Sequence, residues 1–307
     1  MGSGRWDSRD WASSRASYSA SRPTVDHIYT GRAIDKDLDP KFITLRESRD
    51  SVANPNSTAV IVALDVTGSM DRVLDAMART GLGTLVGAIY ERQPITDPHI
   101  MLMGIGDFEC DTAPLQVTQF EAANAPLISQ MEKVYLERGG GGNHHESYAA
   151  AWLFAATRTS IDCFEKRGKR GYLFTVGDEE PTPRLIGSQI ARFMGGEPGP
   201  DLDGAHLLEM VSATYHVFHV VVEEGSYARS HADRVRPAWT QLLGQNVILL
   251  ADHTKLAEVV VSAIQVAEGA DRDAVASSWG GDTALVVARA MRDAATVAAK
   301  SGGMKLY

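Results

Sequence analysis

The stretch Ala59-Val60-Ile61-Val62-Ala63-Leu64-Asp65-Val66-Thr67-Gly68-Ser69-Met70 decides the fold. Its first six residues form an unbroken apolar run rich in branched side chains, preceded by the turn residues Asn54-Pro55-Asn56. So short a run, with nothing polar at alternate positions, predicts a central parallel strand covered on both faces. The chemistry then changes: oxygen-bearing side chains stand at Asp65, Thr67 and Ser69, spaced i, i+2, i+4. Alternate side chains of an extended segment share a face, so these three can converge on one point. Carboxylate and hydroxyl oxygens are hard ligands of the kind Mg²⁺ takes.

Downstream, Val73, Met77, Leu82, Leu85, Val86 and Ile89 are spaced for one buried side and predict a helix from about residue 71 to 90. Further strands are expected over 100–105, 172–176, 216–222 and 246–250, with a weaker edge strand over 116–120. Helices are expected over 126–135, 146–157 and 256–267. Residues 187–215, which contain the Gly/Pro stretch 195–200, read as extended. Strands alternating with helices predict an α/β fold, doubly wound, with a mostly parallel central sheet.

Open sheets of this kind bind ligands at the carboxyl ends of their strands. Asp65, Thr67 and Ser69 follow the first strand, and Asp107 follows the second in Gly106-Asp107. Asn143 and Glu146 close the loop that begins with Gly139-Gly140-Gly141-Gly142. Asp178 stands in Gly177-Asp178-Glu179-Glu180-Pro181, two residues beyond the expected strand end at Val176.

The 307 residues suit one large domain with attached arms. Residues 1–56 begin with a Ser/Arg-rich stretch too polar to form its own core and are expected as an extended arm. Within it Trp6 and Trp11 are candidate anchors on a neighbouring subunit or partner. The domain is expected over 57–268 and a helical tail over 269–307. A net charge of −9 argues against nucleic-acid binding, which needs phosphate neutralisation. Two cysteines, Cys110 and Cys163, make neither a disulfide framework nor a zinc cluster. With no apolar leader and no run of about 18 apolar residues, a cytoplasmic protein without a membrane partner is expected.

The segment Leu64 to Met70 resembles the Asp-x-Ser/Thr-Gly-Ser signature of von Willebrand factor A (VWA) domains, the first loop of their metal-ion-dependent adhesion site. The order of strands and helices from about Ser57 to Ala267 extends the likeness over some two-thirds of the chain. The loop 139–146 is most similar to VWA domains found beside alpha-kinases, where a glycine run, a polar residue and a Glu replace Gly-Gly-Thr. Residues 177–181 resemble the family's Asp-Gly-Glu-Pro third loop. The resemblance implies Asp65, Thr67 and Ser69 as first-loop ligands and Asp178 as a third-loop ligand acting through water. The second-loop ligand falls to Asn143, to Glu146 or to neither. The implied cofactor is Mg²⁺, with Mn²⁺ or Ca²⁺ as substitutes.

By that likeness the chain is expected to be a cation-dependent protein-binding module that engages an acidic side chain of its partner. The alternative is an assembly protein that self-associates through its amino-terminal arm and carboxy-terminal helix, with a degenerate metal site. An enzyme is not expected, since neither a Gly-x4-Gly-Lys-Ser/Thr loop nor a Gly-x-Ser-x-Gly elbow is found. Plainer roles exist for single residues: Ser69 as a helix cap, Glu146 in a helix first turn, Asp107 in a local turn. His144-His145 lacks the i, i+4 spacing of a zinc helix. His216 and His219 read as packed core residues, and Arg229, His231, Arg234 and Arg236 as a solvated helix face.

Overall fold

The computed structural model describes residues 4–7, 13, 21, 24–137 and 143–292. In chain order its strands are β1 (Arg46–Ser48), β2 (Thr58–Asp65), β3 (Pro98–Ile105), β4 (Leu115–Val117), β5 (His145–Glu146), β6 (Thr159–Ile161), β7 (Gly171–Gly177), β8 (Glu180–Pro181), β9 (Arg184–Leu185), β10 (Leu202–Asp203), β11 (Tyr215–Val222) and β12 (Val247–Leu250). Six of them form one sheet in the order β12-β11-β7-β2-β3-β4. Every pairing in it is parallel except that of β4 with β3.

All eight residues of β2 are buried, as a strand covered on both faces requires. Its odd and even positions feed separate cores. Val60, Val62 and Leu64 face the helices Asp71–Ala76, Leu82–Arg92 and Leu256–Ala267. Ala59, Ile61 and Ala63 face Ala149–Arg158, Gly204–Ser212 and Ala232–Leu243. The helix expected over 71–90 is observed as two α-helical pieces joined by a wider π turn, Met77–Gly81.

From β2 the chain builds outward to β3 and β4, then crosses back to lay β7 on the other side of β2. The order of winding therefore reverses between β2 and β7. The connections leave that point in opposite directions, which opens a crevice above the carboxyl ends of these two strands.

Residues 187–215, expected as extended, instead contain the helices Gly187–Met194 and Gly204–Ser212. Asp203 caps the second by accepting from the His206 N–H at 2.8 Å, and Leu207 and Val211 bury its inner side. The glycines and prolines of 195–200 only separate the two helices.

Residues 24–56, read from sequence as the later part of an arm, pack on the domain. Ile28, Tyr29 and Leu38 enter the first core and Ile43 the second. β1 pairs in parallel with β6, and Arg49 bridges to Asp162 at 2.8 Å. Trp6 packs against the first core and donates its indole N–H to the Pro98 carbonyl at 2.8 Å. Trp11 lies outside the described residues. The carboxy-terminal helix Gly281–Ala290 sets Val287 and Ala290 into the first core. The rest of the expected tail helix, 293–299, is outside the described residues.

Candidate metal centre at the sheet edge

Asp65 ends β2 fully buried. Its Oδ1 accepts from the Thr67 backbone N–H at 2.8 Å and the Thr67 hydroxyl at 2.6 Å, a tight local turn. Its Oδ2 accepts from the Tyr148 hydroxyl at 3.3 Å. Asp178 follows β7 directly, because the strand runs one residue beyond Val176 to Gly177. Ser69 is exposed and donates its hydroxyl to Asp178 Oδ1 at 2.9 Å, joining the loop after β2 to the loop after β7. It does not cap the following helix, whose amino terminus has no side-chain cap. The other oxygen of Asp178 accepts from the Tyr227 N–H at 3.0 Å. Asp65, Thr67, Ser69 and Asp178 are thus brought together at the point where the winding reverses.

The second-loop candidates separate. The glycine run 139–142 lies outside the described residues. Asn143 turns to Asp107, to which its amide donates a short hydrogen bond, and to Glu109 Oε2 at 3.3 Å. Asp107 also accepts from the Glu109 N–H at 3.0 Å and the Ser147 hydroxyl at 3.3 Å. These two residues therefore hold the loops around the crevice together. Glu146, on β5 beside β8, is 4% exposed, and its Oε2 has no hydrogen-bond partner.

The electrostatics follow from burying several acids in one place. Burial pushes the Asp65 and Glu146 carboxyls above the usual range, and their neighbours' charges add to it: Asp178 and Glu179 for Asp65, Asp65 and Glu179 for Glu146. The Thr67 hydrogen bonds oppose the rise at Asp65. Burial, then Asp178, raises Glu179 to about 7. A group of anions disfavoured by desolvation and by one another, set among hydroxyls and including an unpaired buried oxygen, fits a hard divalent cation.

Several residues that shape this centre escaped the sequence reading. Tyr148 packs edge-on against His219 and Trp239. A Cβ at Gly177 would lie 2.0 Å from its hydroxyl, so the strand end must be glycine for the Tyr148–Asp65 hydrogen bond to form. Trp239 stacks on His219 with ring centroids 3.4 Å apart and donates to the Glu179 carbonyl at 2.9 Å, which anchors the third loop. Gly225 leaves room for Asp178. Position in sequence gave a signal only for Tyr148, two residues after Glu146.

His219 is a core residue bonded to Thr175 at 2.9 Å, as expected. His144 stacks on Tyr227, and Tyr227 on His231. Arg234 pairs with Glu180 at 2.9 Å. Among the described residues, the set of three carboxylate or imidazole ligand atoms lying within 4.8 Å of one another is Glu224, Asp252 and His253, beyond the ends of β11 and β12. There Glu224 is bonded to His253 and Asp252 to Thr254. No helix among the described residues is long and apolar enough to cross a membrane.

No protein-family model matches the chain, and no curated protein does. Similar solved structures include the pilus adhesin SpaC from Lactobacillus rhamnosus GG in an open conformation, at 10% identity and a TM-score of 0.47 over 72% of this chain and 31% of that one. A von Willebrand factor type A protein from Catenulispora acidiphila aligns at 15% identity and 0.37, over 70% of this chain and 44% of that one. Proximal thread matrix protein 1 from the mussel byssus aligns at 10% identity and 0.42, over 75% and 47%. The chain thus spans less than half the length of each. The described residues form a doubly wound, mostly parallel α/β sheet flanked by helices.

Proposed function

We propose that this chain is a divalent-cation-dependent protein-binding module rather than an enzyme. The observation that carries the reading is the convergence of Asp65, Ser69 and Asp178 where the sheet reverses its winding, with Ser69 exposed on the outer side. Asp65, Ser69 and Asp178 would hold the cation, with Thr67 orienting Asp65. A cation bound there supplies a fixed positive charge in place of mutual repulsion among buried acids. In the finer form of the reading, an acidic side chain of a partner approaches from the open side at Ser69. The chain's own work is to keep Asp65 and Asp178 dry and oriented and to tie their loops through Ser69, Tyr148 and Tyr227.

Mg²⁺ and Mn²⁺ titrated calorimetrically into metal-stripped protein test this. One site is expected in the wild type and none in Asp65→Ala. Saturating cation raises stability by RT ln(1 + [L]/Kd), about 2.7 kcal/mol at a hundredfold excess over Kd. A wild type that takes up neither ion sinks the reading.

Assembly through the two ends is the weaker alternative. Trp6, with Val287 and Ala290 of the helix Gly281–Ala290, packs on this chain's own core, while Leu285 of that helix stays 71% exposed.

A further inference from the structure

β12 (Val247–Leu250) ends the central sheet on one side. The Leu250 carbonyl accepts from the Glu223 N–H at 3.0 Å, so the backbone groups of Leu250 turn inward to β11. Those of Leu249, one residue back on the pleat, turn outward. Among the described residues, none bonds to the Leu249 N–H or carbonyl. The opposite edge is closed: Val117 of β4 donates its N–H to the Leu38 carbonyl at 2.8 Å, and its own carbonyl accepts from Arg46 at 3.1 Å. An open edge strand is a template for another extended chain.

Beside β12 lies a groove of about 420 Å³. Val247 and Leu249 give it an apolar lining, and Arg236, Arg272 and Arg292 line it too. Among the described residues, no acid lines it. Arg272 is fixed by donating to the Arg292 carbonyl at 2.8 Å, and neither of these two arginines forms an ion pair with a described residue. Three guanidinium groups gathered without an acid, in a chain of net charge −9, set a local field that favours anions. Their flat forks suit carboxylates in particular. Residues 293–307, which follow Arg292, carry one acid, Asp293, against Lys300 and Lys305, so they do not supply that charge.

We infer that the edge of β12 is a protein-docking site separate from the metal centre, which takes an extended acidic segment of a partner protein as an added strand. Backbone pairing at Leu249 aligns the segment, and its carboxylates meet Arg236, Arg272 and Arg292. None of Asp65, Ser69 and Asp178 lines the groove, so docking there needs no cation.

Fluorescence anisotropy of a labelled peptide of alternating Glu and Val, titrated with the full-length protein in EDTA, tests this. Saturable binding to the wild type is expected, weakened about tenfold or more when Arg236→Gln and Arg292→Gln are combined. The same peptide N-methylated at every residue cannot pair as a strand and is expected not to bind. By NMR hydrogen exchange, the Leu249 amide of the free protein is expected to exchange faster than those of Ile248 and Leu250, and to slow when the peptide is added. No saturable binding by the wild type overturns the proposal. Equal binding of the N-methylated peptide overturns strand addition, and equal binding by the double variant overturns the role of the arginines. Protection of Leu249 in the free protein also overturns it: protection that grows with protein concentration assigns the edge to a second copy, and protection that does not assigns it to this chain itself. Should the double variant misfold, the N-methylated peptide and the Leu249 exchange need only the wild type.

Discussion

Gly225 shows how much of the candidate centre depends on what is not there. A Cβ on it would lie 2.2 Å from the Cβ of Asp178. Its φ of −59° is open to any residue, so Gly225→Ala gains about 0.4–1 kcal/mol through the unfolded chain. Overpacking against a buried carboxylate costs about 1–3 kcal/mol, so the steric effect wins. The variant is expected to unfold at lower urea and, where the wild type binds Mn²⁺, to bind it more weakly. Equal urea midpoints would show that Asp178 has room to move. Of the residues expected at this centre, Asp65, Thr67, Ser69 and Asp178 were legible because the strand-end rule depends only on where apolar runs stop. Tyr148 and Gly225 were not, since their roles come from contacts across 83 and 47 positions of chain.

At the scale of elements, the segment between residues 24 and 48 behaves as a strap over both cores. Ile28 and Leu38 are 0% and 1% exposed, whereas Val52, a few residues on, is 104% exposed. Ile28→Ala or Leu38→Ala is expected to cost about 2–5 kcal/mol in chemical denaturation. Val52→Ala should stay within about 0.5 kcal/mol. Near-neutral results at Ile28 and Leu38 would return this segment to the status of a loose arm. Its polar composition concealed the packing, because single apolar residues spaced at irregular intervals carry no period. The helices Gly187–Met194 and Gly204–Ser212 were hidden differently. Each is about two turns long, and the glycines and prolines between them dominate any window that spans both.

For the whole molecule, burial of titratable groups makes stability depend on pH in opposing ways. His99 is fully buried on β3, with Ser48 at 3.1 Å, and desolvation lowers it from 6.5 to about 4. Between those values the unfolded chain holds a proton that the folded chain lacks, so this contribution is complete above 6.5 and is lost as pH falls toward 4. His219, stacked on Trp239, is lowered in the same sense by burial. The raised carboxyls of Asp65, Glu146 and Glu179 act the other way, favouring the folded state as pH falls. The wild-type profile alone therefore mixes the two, and a difference measurement separates them. Relative to wild type, His99→Gln is expected to gain roughly 2–3 kcal/mol between pH 7.5 and about pH 4.5. Parallel stability curves for the two proteins would show that His99 does not titrate in this window.

What the sequence by itself determined is the part of this protein governed by local pattern. Apolar runs of β-sheet length, alternating with helical periodicity, allow few arrangements other than a wound parallel sheet. Oxygen-bearing side chains clustered where β2 ends could then be read directly. The tertiary structure alone decided which acids face one another. It took the reversal between β2 and β7 to set Ser69 against Asp178, and the closure of β5 on β8 to leave Glu146 buried with its Oε2 unpaired. Asn143, equally plausible from its place in the loop, was drawn to Asp107 instead. Burial and like-charge repulsion depend on distances through space, and those exist only once the sheet has closed.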